Sequence, residues 1–392
     1  MRSLQRAGAS KMAHRPTLLA VLACVVAASA APAVVSAAAS FVPKGRYGHC
    51  TFVVGGKMYL LGGAPFNSTS LSDELVAFDP TTKEWTRLNT AATGDAPPGI
   101  EGQTCTPHTH LPLVYVTGGN MANAAAPKGD VTNKTYVLDL SSSAAPKWKA
   151  GPLLTAAVRR HTAVLSGSEL VLMGGSHGPS CQENLTDAVS VATLTATGGL
   201  SDWAERATSG SGPAPRMGHV AVLQPKTQRM YVVAGQTSNN CSAEGYQNDA
   251  YVLDLNTYAW APVTATGSAP RKRYGPSGWW NALSGGVQIT GGTCGEACGA
   301  CGHANDTFTL ALAGSKPDAG KWEPTNAQGR GPPRAIGTAA CYSRKTRSWT
   351  GVALSTATPC RQRGQQTCSR CPSAPSQSGQ ISRTDEVRPG TS

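Results

Sequence analysis

Hydrophobic and polar positions alternate along this chain in short runs of strand length. In His219-Val-Ala-Val-Leu, a polar turn Gln224-Pro-Lys-Thr-Gln, and Met230-Tyr-Val-Val, two apolar runs flank five turn residues. That pattern predicts a β-hairpin. Five such hairpins end in a small-Gly pair, at Gly62-Gly63, Gly118-Gly119, Gly174-Gly175, Ala234-Gly235 and Gly291-Gly292. A polar loop follows each pair. An acidic or Asn residue then opens a third strand, at Asp73, Asn133, Asp187, Asp249 and Asp306. A short turn leads on to a strand with a single Trp, at Trp85, Trp148, Trp203, Trp260 and Trp322. Successive pairs start 56, 56, 60 and 57 residues apart. That spacing predicts a tandem four-stranded unit, because one such sheet cannot bury both faces until neighbours stack on it.

The order Arg-x-Gly-His, strand, Gly-Gly, loop, third strand ending in Asp, then Trp resembles the kelch repeat over residues 45 to 325. The resemblance implies an all-β, kelch-type β-propeller with five four-stranded blades, at about 45–90, 101–150, 158–205, 215–262 and 272–324. Residues 333–354 align on a hairpin only and predict a partial sixth blade. Repeat two departs most, with Gln103-Thr-Cys-Thr where the Arg-Gly-His segment is due, so its first strand is the least marked.

Residues 1–37 carry Arg2, Arg6, Lys11 and Arg15, no acid, a short apolar core and an Ala-rich exit, which predicts a secretory signal peptide. Residues 355–392 are polar, and their composition predicts a disordered tail. No transmembrane or lipid-anchor signal is expected, so the predicted location is extracellular. The net charge of +12 resides at the two ends, since residues 38–329 hold 20 basic and 20 acidic residues. A nucleic-acid footprint belongs on the folded module, and its absence there argues against nucleic acid as a partner.

Eleven of the twelve cysteines follow the signal segment. In an oxidising compartment they read as disulfides. Cys181, Cys241, Cys294, Cys298 and Cys301 fall in equivalent loops of adjacent blades, while Cys50 and Cys105 fall in first strands and form a second candidate pair. Five sequons, at Asn67, Asn133, Asn184, Asn240 and Asn305, lie one per blade between the pair and the third strand, which suits glycosylation.

The resemblance also allows enzymes, because galactose-oxidase-like and plant specifier proteins share this scaffold. The first group binds copper through two Tyr and two His, partly late in the chain, and here no His follows His303. The second uses Glu-x3-Asp-x3-His for iron; Glu183 and Asp187 match, but Val191 stands where His is required. No catalytic residue, cofactor or metal site is therefore expected. The expected function is binding of a protein or glycan through long loops on one propeller face. The alternative is a copper- or iron-dependent oxidase-like or specifier-like enzyme. Arg46, Arg216 and Arg273 open first strands on that face and are candidate ligand residues, against the reading that they pair within their blades.

Overall fold

The computed structural model describes residues 41–127, 129–178, 184–238, 245–295, 302–314 and 316–325, with the backbone of two short strands beyond. The expected signal segment, the tail, Asn240, Cys181, Cys241, Cys298 and Cys301 lie outside the described residues.

Five antiparallel sheets follow one another. Blade 1 runs Cys50–Val54, Lys57–Leu61, Leu75–Asp79, Glu84–Arg87. Blade 2 runs Thr104–Pro107, Leu113–Thr117, Thr135–Asp139, Lys147–Ala150, so the unmarked first strand does form. Blade 3 runs Thr162–Ser166, Glu169–Ser176, Leu185–Thr193, Ala204–Glu205. Blade 4 runs Val220–Gln224, Arg229–Gln236, Tyr246–Asp254, Ala259–Pro262. Blade 5 runs Ser277–Asn281, Gly286–Thr290, Thr307–Ala313, Lys316–Pro324. In every blade the strands lie in chain order across the sheet. First strands of consecutive blades adjoin, so they line the axis of a propeller. A hairpin of Ala340–Tyr342 with Trp349–Gly351 follows, and its first strand lies beside the first strands of both blade 5 and blade 1.

The four-strand expectation is corrected in three blades. The connector entering blade 2 adds Thr93–Gly94 as a parallel fifth strand beside Lys147–Trp148. Ser209–Gly210 does the same on blade 4, and Thr264–Gly267 on blade 5. Each added strand ends on a left-handed glycine, at φ 88°, 78° and 81°. A β-carbon there would sit 2.1 to 2.4 Å from the carbonyl oxygen of Trp148, Trp260 or Trp322. Only glycine allows that approach.

Each of these Trp side chains fills the junction with the preceding blade. Trp148 is buried in a cluster with Phe52, Tyr59 and Leu75 of blade 1, and Trp322 in one with Tyr231 and Val233 of blade 4. Burying an aromatic of this size between two sheets is what makes neighbours stabilise each other. Trp85 of blade 1 is half-exposed and packs on Phe78 at 5.0 Å between ring centroids.

The Gly-Gly pair has a specific task at the same junctions. A β-carbon on Gly118 would lie 2.3 Å from the Val158 carbonyl oxygen and 2.7 Å from His161 Cε1 of blade 3. The second glycine donates its N–H to the next blade: Gly63 to Ile100, Gly119 to Val158, Gly175 to Arg216 and Gly235 to Arg273. Ile100 and Val158 therefore stand where other blades carry the repeat arginine.

Candidate functional site

The first strand of each blade begins at the end where its second strand stops, as Cys50 pairs with Leu61. The loops after the Gly-Gly pairs thus share an end of the propeller with the incoming connectors. Those loops carry their own small sheets. Ala64–Pro65 pairs with Arg46–Tyr47, and Asn120–Met121 lies between Ile100–Glu101 and Asp130–Val131.

The three candidate ligand arginines are directed inward at this end and pair within their blades, which corrects their reading as ligand residues. Arg46, Arg216 and Arg273 are 0 to 2% exposed. Arg216 donates through Nη1 and Nη2 to the Asp249 carboxylate at 2.7 and 3.0 Å, and through Nη1 to the Ala234 carbonyl at 2.9 Å. Arg273 repeats this on Asp306 and the Gly291 carbonyl. Arg46 does so on Glu74 and the Gly62 carbonyl. Each Nε donates to the carbonyl two residues earlier, on Lys44, Ala214 and Arg271. A guanidinium has five donors in a fixed fork, and here they tie connector, second strand and third strand together. Burial tends to raise the Glu74 carboxyl, but the bonds and charges of Arg46 and Arg87 outweigh it and hold it below the usual range.

Blades 2 and 3 lack the pair on both sides. Strand register places Lys134 and Ala188 at the position that Glu74, Asp249 and Asp306 hold in their blades, so the expectation of Asp73, Asn133 and Asp187 there is corrected by one residue. Ile100 with Lys134, and Val158 with Ala188, put no buried ion pair at this position, while the neighbouring Glu101 and Arg159 are buried 3.8 Å from each other.

Toward the axis lies an open ring of backbone hydrogen bonds that runs from blade 1 to blade 5. Gly102 N–H donates to Gly48, Arg160 to Gly102, Gly218 to Arg160 and Gly275 to Gly218, each carbonyl one blade back. All five residues have positive φ, from 54° to 68°. Inside this ring a cavity of about 250 Å³ opens, lined by Tyr47, Gln103, Arg160, Tyr274 and the histidines of the first strands. His49, His161 and His219 occupy one repeat position, and Gln103 holds it in blade 2, where the sequence departs from the consensus. His161 Nε2 lies 2.9 Å from the Thr117 hydroxyl, and His219 Nε2 lies 2.7 Å from that of Thr162. Burial pushes His161 and His219 down to about 3 and His49 to about 4. Arg46 adds to the effect on His49, and Arg216 with His161 adds to it on His219. The imidazoles are therefore neutral. Among the described residues, no group of three or more His, Cys, Asp or Glu side chains converges as metal ligands.

Cys50 and Cys105 form a disulfide across the first strands of blades 1 and 2, with Cα atoms 5.8 Å apart. Cys294 is disulfide-bonded as well. Of the described sequons, Asn67, Asn184 and Asn305 are exposed, whereas Asn133 is half-buried with Nδ2 3.4 Å from the Leu154 carbonyl oxygen.

The KLHDC2/KLHL20/DRC7 Kelch-repeats domain model matches residues 35–175 and 160–351 of this chain. The chain belongs to the kelch-repeat family. Among curated relatives, human Host cell factor 2 is 28% identical over 249 residues, covering 59% of this chain and 29% of its own length. Acyl-CoA-binding domain-containing protein 5 of Arabidopsis thaliana is 27% identical over 64% of this chain and 37% of its own. Adagio-like protein 3 of rice is 27% identical over 70% of this chain and 42% of its own. The kelch propeller thus spans well under half the length of these relatives. Kelch repeats suggest a protein-binding module. No helix among the described residues is long and apolar enough to cross a membrane.

Proposed function

We propose that this kelch propeller is a secreted, N-glycosylated binding module that takes an extracellular protein or glycan on its long-loop face, without catalysis of its own. The observation that carries the reading is the asymmetry of that end. It holds the axial cavity, the loop sheets at 64–65 and 120–131, and the adjacent side chains Tyr47 and Phe66, which are 38% and 48% exposed. Loops of this length on a rigid scaffold are where recognition usually sits. Exposed aromatic rings beside a cavity are the usual anchors of an interface. The leader-like composition of residues 1–37 supports secretion, and the sequon placement supports glycosylation.

A photoreactive side chain placed at Phe66, compared with one at Leu283 on the opposite hairpin turn, tests the face. Crosslinks to cell-surface material from Phe66 but not from Leu283 are expected, and equal labelling would sink the reading. For the glycans, N-glycosidase treatment of the secreted protein is expected to lower its apparent mass. An unchanged mass removes that part.

A further inference from the structure

Four of the five residues in the backbone ring are glycine, and the fifth is Arg160 at φ 54°. A side chain in that left-handed conformation is strained. The guanidinium is held across the mouth. Nη1 donates to the Tyr274 hydroxyl, Nη2 lies 3.8 Å from Glu101 Oε2, and the group sits 5.5 Å from the Tyr274 ring centroid. Tyr274 folds back over Gly218, where a β-carbon would meet its ring at 2.2 Å, and stacks on Tyr246 at 6.0 Å. Gln103, Arg160 and Tyr274 thus form a polar arc along the mouth from blade 2 to blade 5, with the buried Glu101 behind the guanidinium. Blade 1 contributes a different wall in Tyr47, whose exposed ring lies 6.1 Å from the exposed ring of Phe66 just outside the cavity. Gln103 and Glu101 are 6% and 4% exposed, and Gln103 Oε1 and Glu101 Oε2 have no hydrogen-bond partner within the protein.

We propose that this mouth is a subsite for one pyranose ring of an uncharged glycan. The proposal rests on the reading of the long-loop face as the binding face. Three features select the ligand. The Glu101 carboxylate is shared between the buried Arg159 and the more accessible Arg160, each 3.8 Å away, so an anion would reach the Arg160 cation only by approaching a fixed negative charge. The first-strand imidazoles are neutral and add no further charge. The polar groups supply both donors and acceptors, which suits hydroxyls that are both at once. Finally, an aromatic ledge accepts the C–H face of a sugar ring, and the cavity holds about one such ring.

The test uses the full secreted chain, stripped of its own N-glycans, with glucose, galactose, mannose and N-acetylglucosamine as probes in saturation-transfer NMR. At least one sugar is expected to bind saturably at millimolar concentration. Arg160→Gly restores the residue its sister blades carry, so the fold should persist. It is expected to weaken binding at least tenfold, as is Phe66→Ala. Absence of transfer to all four sugars overturns the proposal. So does binding that Arg160→Gly leaves unchanged. If Phe66 still crosslinks a protein partner while no sugar binds, the subsite falls and the binding face stands. If neither is seen, both fall.

Discussion

Blades 1, 4 and 5 and blades 2 and 3 solve the same joint in two ways. In the first set a buried arginine binds an acid and a strand carbonyl, as Arg216 does with Asp249 and Ala234. In the second set Ile100 and Val158 fill the place with carbon, at 0% and 4% exposure. The backbone link is the same in both, because the main-chain carbonyl of that residue accepts the glycine N–H whatever its side chain is. The ion pair is therefore one way to fill a fixed joint rather than the source of its geometry. What the joint forbids is half of either solution, since a buried guanidinium without its acid leaves a charge out of water.

The largest effect expected is on that pair. Arg216→Ala should cost about 3–5 kcal/mol in denaturant unfolding, the range for breaking one side of a buried ion pair. Arg216→Val combined with Asp249→Ala copies blade 3 and should recover most of the loss. A double variant no more stable than the single one would break the comparison.

Blade 2 lacks the arginine clamp but shares the Cys50–Cys105 cross-link with blade 1. Replacing both cysteines by Ser should cost about 2–4 kcal/mol. The loss should show as earlier proteolysis around residues 50–105 than in blade 4.

The histidine position offers a third contrast, because Gln103 occupies it in blade 2 without titrating. His49, His161 and His219 have folded values near 4, 3 and 3, below the ordinary value near 6.5. The unfolded chain thus takes up protons first as pH falls. Stability is full above about pH 6.5 and drops by about 1.4 kcal/mol per pH unit per histidine below it. His161→Gln should flatten that slope in thermal melts between pH 6.5 and 4. An unaltered slope would show that the imidazole titrates normally in the fold.

The smallest effect concerns Ala234, which takes φ 62° where three other blades among the five carry a tightly enclosed glycine and Gly291 stands in blade 5. Blade 5 has Pro276 in place of the histidine that would press on it. Ala234→Gly should change stability by less than about 1 kcal/mol. Gly118→Ala, facing His161, should cost several times more.

The repeat, its glycine pairs and its Trp positions were legible because periodic packing leaves periodic residues. The third-strand register was not. Loop lengths after the pair differ, so an acidic or Asn residue near the strand start does not mark one register position, and Asp73, Asn133 and Asp187 each lie one residue before it. The parallel fifth strands left a usable signal, Thr93-Gly94, Ser209-Gly210 and Thr266-Gly267, each six residues before the arginine position. Two residues make no hydrophobic pattern, so hydropathy does not reveal these strands. Arg160 was hidden for another reason: adjacent Arg159 reads as a shifted consensus arginine, and only the φ angle reveals that Arg160 replaces a glycine.

Those fifth strands give the molecule a direction of dependence. The outer edge of blade 2 is supplied by chain leaving blade 1, that of blade 4 by chain leaving blade 3, and that of blade 5 by chain leaving blade 4. A nick at residues 207–208 would strip blade 4 of its border while leaving the four strands of blade 3 in sequence. Damage in one repeat is therefore passed to its successor more readily than to its predecessor, and the propeller should fray toward its C-terminal side.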